Sequence, residues 1–168
     1  MAHKINRVIK VGPNMTLHFE DRLVMQYQIQ VMLRIEKIFD AAGIQEELDA
    51  YNPLIPDGAN FKATMMIEFP DPSVRATELA RLVGIEDKTW VQIGGQEKVF
   101  AIADEDLERD TEDKTSSVHF MRFELDTTMI AAAMSGAEVR VGVEHPAYRH
   151  EVTLEQAARD SLVGDLDS

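Results

Sequence analysis

Alternating hydrophobic and polar positions predict two central β-strands in this chain. In residues 61–69 every second side chain is apolar, which is the period of a strand with one face in a core, and residues 117–125 form a second strand with apolar groups on both faces. The second strand also carries Val118 and Phe120 on its other face, so we expect it to be covered on both sides. The predicted inward row of the first strand is Ala63, Met65, Ile67 and Phe69. In the second strand, one face carries His119, Met121, Phe123 and Leu125.

Turn residues join shorter segments into three predicted hairpins. In the last hairpin, a four-residue loop pairs Glu144 with Arg149 and Val143 with His150. This register puts His150 on the apolar face with the neighbouring valines and leaves His145 in the turn. The three hairpins are residues 8–11 with 15–19, 89–93 with 98–102, and 138–144 with 149–154.

A helical period follows the first hairpin. Residues 23–41 place their apolar side chains on an arc of roughly 200°, which predicts a largely buried helix ended by Gly43 in a left-handed conformation. Gln28 and Glu36 fall inside that arc, and a buried amide or carboxylate needs a partner. In one interpretation, Gln28 bonds a loop carbonyl and Glu36 pairs with Arg122 in a structural network. In the other, Glu36 is a ligand or a base.

Capping residues mark the remaining helices. Asp71 is the predicted N-cap of a helix whose first residue is Pro72. Asp126 is the predicted N-cap of an alanine-rich helix. Thr153 and Gln156 have the spacing of a capping box. The predicted helices are residues 44–51, a helix from Pro72 closed by Gly84, a helix from Asp126 to Met134, and a terminal helix after Thr153.

The order of these elements predicts one α+β domain over residues 1–168. We expect a mainly antiparallel, in part mixed, β-sheet flanked by helices. With 168 residues, 45% of them hydrophobic, the chain is long enough to bury a sizeable core without disulfides or metals.

Charge and cysteine content exclude several classes of protein. With 30 acidic against 17 basic residues, the net charge of -13 repels phosphate backbones and anionic membranes, so we expect no nucleic-acid or membrane partner. The absence of cysteine excludes disulfides, thiolate metal sites and a cysteine nucleophile. No signal core or membrane-length apolar run is present, which predicts a cytoplasmic protein. The acidic run at residues 104–113 lacks the spacing of a calcium loop and is predicted to be solvated.

Histidines offer the main route to metal chemistry. No two of them have the spacing of a helical ligand pair. Folding can still bring His119, His145, His150 and Glu36 together, in the mixed imidazole and carboxylate set that suits non-haem iron or zinc. The alternative is that His119 is satisfied within its strand, His145 belongs to a turn and His150 is half-exposed. Because no phosphate loop or serine-hydrolase elbow is present, the sequence does not favour an enzyme.

Several longer blocks resemble one protein family. Over most of its length the chain resembles an uncharacterised bacterial family, domain of unknown function 3501. Within residues 43–58, the block from Gln45 to Gly58 is long enough to be specific. The other blocks are residues 27–30, 32–36, 100–105, 119–125 and 145–148.

The resemblance implies the cellular system in which the protein acts, but it implies no specific reaction. Family members look to be encoded beside rubrerythrin-like and iron–sulphur oxidoreductase proteins, which implies a binding or accessory protein of an iron, redox or peroxide-defence system with such a partner. It also implies a further helical segment in relatives before the position of His3. A small metal-dependent enzyme and a purely structural polar network are the alternatives. The blocks supply a candidate polar site of Gln28, Glu36, Glu46, Glu47, Tyr51, Asn52, Arg122 and Glu124.

Overall fold

The computed structural model describes residues 2–103 and 117–167. Within those ranges the chain alternates between strands and helices, with short 3₁₀ turns at residues 52–54 and 85–88. The elements are α1 (Ala2–Ile5), β1 (Val8–Val11), β2 (Met15–Glu20), α2 (Arg22–Ile35), α3 (Ala41–Tyr51), β3 (Asn60–Ile67), α4 (Pro72–Arg81), β4 (Thr89–Ile93), β5 (Val99–Phe100), β6 (Val118–Glu124), α5 (Thr127–Met134), β7 (Val139–His145), β8 (Tyr148–Thr153) and α6 (Gln156–Val163).

Two four-stranded antiparallel sheets confirm the predicted α+β fold. One sheet has the order β1-β2-β3-β6, and the other has the order β5-β4-β7-β8. Ile102 joins them, because its backbone N–H and C=O each bond the backbone of Arg122 at 2.9 Å. At another contact between the sheets, the hydroxyl of Tyr148 in β8 donates to the carbonyl of Val11 in β1 at 2.5 Å.

The hydrophobic core lies between the facing sides of the two sheets. The predicted inward row of β3 is confirmed as far as the strand extends, although Phe69 lies beyond the end of β3. In β6 the buried row is His119, Met121 and Phe123. Phe19 of β2 meets Phe61 edge-on, with 6.2 Å between ring centroids, and such pairs add to the stabilisation from burial. The strands therefore place alternate side chains in one continuous core and leave the others on the outer faces.

The register of the last hairpin is confirmed, but its loop is shorter than predicted. Glu144 pairs with Arg149 and Val143 with His150, and a further pair of residues, His145 and Tyr148, extends the ladder. The extra pair leaves a two-residue turn. His145 is consequently buried at the end of β7, whereas His150 is exposed, so the predicted environments of both histidines were wrong.

The long helix predicted for residues 23–41 is two helices. α2 ends at Ile35 and is followed by Lys37 in a left-handed conformation (φ 55°), while Gly43 lies inside α3. The carboxylate of Asp40 accepts a hydrogen bond of 2.9 Å from the Gly43 N–H, and this cap starts the new helix. We call α2 and α3 the helical arm.

The prediction that this helix is largely buried was also wrong. In α2 only Val24, Met25 and Ile29 are fully buried, and α3 buries no side chain completely. Phe39, between the two helices, is 81% exposed. The wide apolar arc is only partly covered, because the helical arm lies against the sheet along one side.

Two of the predicted helix starts are confirmed and one is corrected. Asp71 and Asp126 both cap their helices, with side-chain oxygens 2.9 Å and 2.8 Å from the backbone nitrogens of the first turn. The capping box at Thr153 is absent, because Glu155 takes the N-cap position without a side-chain bond. α4 ends at Arg81, and Gly84 (φ 84°) is the N-cap of the 3₁₀ turn that follows. The predicted acidic loop at residues 104–113 lies outside the described residues.

Candidate functional site

The outer face of the β1-β2-β3-β6 sheet borders a cavity of about 340 Å³ beneath the helical arm. We call it the sheet groove. Its apolar wall consists of Val8, Phe19, Val24, Leu54, Met66, Val118 and Phe120. Its polar lining consists of Lys4, Arg7, His18, Glu20, Gln28, Tyr51 and Thr64.

Strand alternation explains why these side chains share one face. In β2, Leu17 and Phe19 are fully buried, so His18 and Glu20 lie on the opposite side of the strand. His18 is directly opposite Thr64 of β3, and Thr64 is in turn opposite Phe120 of β6. The floor of the groove is therefore a row that crosses three paired strands.

Glu20 is the most unusual residue of the groove. Glu20 is only 4% exposed. One of its carboxyl oxygens, Oε1, accepts a hydrogen bond of 3.1 Å from the hydroxyl of Thr64. The other oxygen, Oε2, is buried and has no hydrogen-bond partner. Burial raises the pKa of Glu20 to about 7, against the opposing effects of the Thr64 hydrogen bond and of the charges on Lys4 and Arg7. The carboxyl therefore changes its charge near neutral pH.

Two further groups in the groove favour their neutral forms. Burial, with the nearby charge of Lys4, lowers the pKa of His18, so its imidazole is uncharged at neutral pH. Burial also raises the pKa of Tyr51, and the acidic residues Glu47 and Glu36 act in the same direction. Tyr51 is thus a phenol that can donate a hydrogen bond.

Arg7 supports the groove from behind. It is 1% exposed, and its guanidinium donates to the carbonyl of Phe19 at 2.9 Å and to the carbonyl of Glu20 at 3.2 Å. It also donates to the Ser161 carbonyl at 3.0 Å and to the carboxylate of Asp165. These bonds connect the end of β2 to α6. Because the guanidinium is engaged in all of them, we assign Arg7 a structural role.

The predicted polar site is divided between several places. Gln28 is half-buried and Tyr51 is partly buried, and both line the sheet groove. Glu36 is exposed at the end of α2, and the predicted ion pair between Glu36 and Arg122 was wrong, because Arg122 Nε lies 3.0 Å from Glu124 Oε1. The other predicted residues lie on or beside α3: Glu46 and Asn52 are exposed and Glu47 is half-buried.

The four predicted metal ligands have separate surroundings. His119 is 1% exposed, with Nε2 3.9 Å from a Glu86 oxygen. His145 is engaged at both nitrogens, through the Val83 carbonyl at 2.9 Å and the Ala147 N–H at 3.0 Å. His150 is exposed and packs on the Tyr148 ring at 4.6 Å. Among residues 2–103 and 117–167, no three histidine or acidic side chains form a group that could hold a metal ion.

Comparison with known proteins places the chain in a family. The family model described as "Protein of unknown function (DUF3501)" matches residues 1–166. The chain belongs to the DUF3501 family. This confirms the resemblance found in the sequence.

One solved structure has the same fold. It is the crystal structure of a novel protein of unknown function from Burkholderia pseudomallei, with 51% identity and a TM-score of 0.91, and the match covers 99% of this chain and 86% of that one. No curated protein matches the chain. In the part of this DUF3501 chain that the structure describes, no helix is long and apolar enough to cross a membrane.

Sequence analysis had selected two residues of the sheet groove, Gln28 and Tyr51, as candidate site residues. It had not selected Glu20, Lys4 or His18. A glutamate at the end of a strand normally indicates an exposed position. The available signal was the alternation itself, since His18 and Glu20 share the face opposite Leu17. That alternation identifies Glu20 as a buried residue only when the position of the helical arm over this face is known.

Proposed function

We propose that this protein binds a small, mainly apolar molecule in the sheet groove. The carboxyl of Glu20 carries the proposal, because it is 4% exposed and its Oε2 has no hydrogen-bond partner. Leaving a buried polar group unpaired costs about 1–3 kcal/mol. A ligand that supplies the missing hydrogen bond offsets this cost.

The dimensions of the groove support a binding role. Its volume of about 340 Å³ and its largely apolar wall are typical of sites for small molecules, which combine apolar surface with a few polar groups. A second cavity of about 350 Å³ shares Lys4, Gln28 and Tyr51 with it. Space for a ligand therefore continues from the groove along the helical arm, since the second cavity is lined by residues of α1, α2 and α3.

The helical arm supplies a route of entry. α3 has no fully buried side chain, so few apolar contacts hold it against the sheet. Segments with little buried surface open at low free-energy cost. Displacement of α3 opens the groove at its Tyr51 end without disrupting the core between the sheets.

Titration with the neutral dye Nile red tests the proposal. The wild-type protein should bind the dye with a saturable rise in fluorescence. Met66→Trp fills the groove from its floor and should weaken binding by about tenfold or more. Val74→Trp is the matched control, because Val74 is exposed on α4 and does not line the groove.

A second variant separates the groove from the exposed apolar surface. Phe39→Ser removes the most exposed large apolar side chain of the described residues and should leave dye binding unchanged. The proposal is overturned if folded Met66→Trp binds Nile red as tightly as the wild type. It is also overturned if Phe39→Ser abolishes the binding.

The predicted partnership with a rubrerythrin-like or iron–sulphur oxidoreductase protein stays a prediction from the family resemblance. No contact among the described residues bears on it. Affinity capture of the full chain from a bacterial lysate, followed by mass spectrometry, tests it independently of the dye. Recovery of neither class of protein would count against it.

A further inference from the structure

We propose that the molecule bound in the sheet groove is an apolar carboxylate, whose head group accepts hydrogen bonds from Lys4 and from the protonated carboxyl of Glu20. The inference rests on the proposed function and adds the chemical class of the ligand. Its basis is the balance of donors, acceptors and charges around Glu20.

Among the described residues, the groove offers several unpaired hydrogen-bond donors. The side chains of Lys4, Gln28 and Tyr51 line both the groove and the neighbouring cavity. In the described part of the chain, none of these three side chains has a hydrogen-bond partner of its own. Lys4 can only donate, whereas Gln28 and Tyr51 can each donate or accept, so an acceptor group on a ligand can satisfy all three together.

The anions near Glu20 are already paired. Asp21 contacts His3 at 2.6 Å and Arg7 at 3.4 Å, and it also caps α2. Asp165 accepts a hydrogen bond from Arg7, so the guanidinium and these two carboxylates form one closed cluster.

The remaining cations differ in their availability. Lys62 is the cross-strand neighbour of Glu20, and its ammonium donates to the Pro53 carbonyl at 2.6 Å. Lys4 has no such bond among the described residues, and its charge acts on both Glu20 and His18. Lys4 is therefore the positive charge that an incoming anion can neutralise.

Protonation of Glu20 fits the same ligand. Burial raises the pKa of Glu20 to about 7, and the approach of a second carboxylate favours the protonated form further, since two like charges cannot share a buried site at low cost. The protonated carboxyl then donates its hydrogen to the ligand carboxylate. Where Glu20 begins ionised, binding takes up one proton from solvent. An alkylammonium ligand requires the opposite state of Glu20 and is repelled by Lys4.

Isothermal titration calorimetry with octanoate, 1-octanol and octylamine tests the chemical class, since these ligands share one chain length. Octanoate should bind most tightly at about pH 6 and lose about tenfold in affinity by about pH 8, as the protonated fraction of Glu20 falls. Octylamine should bind more weakly than 1-octanol at about pH 6, where Glu20 is mostly protonated. The inference is overturned if octylamine binds more tightly than octanoate at about pH 6, or if octanoate affinity does not change with pH.

Two variants test which residues cause the pH dependence and the preference for a carboxylate. Glu20→Gln keeps a neutral donor and should retain octanoate binding while losing its pH dependence. Lys4→Gln should weaken octanoate binding by about fivefold or more without weakening 1-octanol. Lys10→Gln is the matched control, because Lys10 is exposed on β1 and does not line the groove. An equal loss from Lys4→Gln and Lys10→Gln would refute the assigned role of Lys4.

The two proposals fail in different ways. If Nile red binding is lost in Met66→Trp but octanoate does not displace the dye, the groove is a binding site and the carboxylate class is wrong. If Met66→Trp leaves dye binding intact, the groove itself is not the site and both proposals fall.

Discussion

Thr64 Oγ1 donates a hydrogen bond of 3.1 Å to Glu20 Oε1, while Oε2 of the same carboxyl accepts none. The two residues belong to adjacent strands, so the bond forms across the floor of the sheet groove. A carboxyl with only one satisfied oxygen in a buried position is costly to ionise. The ionisation of Glu20 is therefore linked to folding, and in our proposal also to occupation of the groove.

The stability of the protein should depend on pH through Glu20. Because the pKa of Glu20 is raised from 4.5 to about 7, its contribution is fully present below pH 4.5 and is lost as pH rises through about 7. Between about pH 5 and about pH 8 the free energy of unfolding should fall by up to about 2.5 kcal/mol from this group. Urea unfolding of the wild type and of Glu20→Gln at both pH values measures it. Equal pH dependence in the two proteins would contradict the prediction.

Glu36→Gln should have little effect on stability. The sequence placed Glu36 inside a buried arc, but the residue is exposed after the last turn of α2. We expect the free energy of unfolding to change by less than about 0.5 kcal/mol, as for other exposed positions. A loss well above this value in urea unfolding would restore the hypothesis of a buried polar network.

Arg7→Met should destabilise the protein strongly. The substitution leaves the Asp165 carboxylate and the Phe19 carbonyl without their buried donor, and breaking one side of a buried pair costs about 3–5 kcal/mol. The control is Arg140→Met, which removes an exposed pair with Glu151 at 2.6 Å and should cost less than about 1 kcal/mol. Chemical denaturation compares the two, and similar losses would show that Arg7 does not have the assigned role.

Tyr148→Phe should weaken the contact between β1 and β8. Its hydroxyl donates to the Val11 carbonyl at 2.5 Å and accepts from the Asn14 N–H at 3.1 Å. Loss of these bonds should lower the free energy of unfolding by about 1–3 kcal/mol. Tyr27→Phe serves as the control, since Tyr27 is 49% exposed and no stability change is expected there. The prediction fails if both variants unfold at the same denaturant concentration as the wild type.

Local features of the fold were predictable from the sequence. The strand alternation of residues 61–67 and 118–124, the caps at Asp71 and Asp126, and the pairing of Glu144 with Arg149 all depend on neighbours within a few residues or within one hairpin. Even here the exact end of the hairpin was missed, since one additional pair buried His145. The signals for one backbone turn are close together in the chain, so they can be recognised without the tertiary structure.

Burial and the candidate site depended on distant segments. The apolar arc of α2 indicates which face a covering layer contacts, but not how much of that face is covered, and the helical arm covers only part of it. Glu36 was therefore misplaced, and Glu20 was missed although its position in the alternation was correct.

The sequence by itself determined the strands, most helix starts, the hairpin register and the α+β class, because these follow from periodicity and local hydrogen bonding. Only the tertiary structure decided that Glu20 is the buried carboxyl and Glu36 the exposed one. Solvent access is a property of what packs over a residue, and here the covering residues, such as Lys4, Gln28 and Tyr51, come from three separate helices.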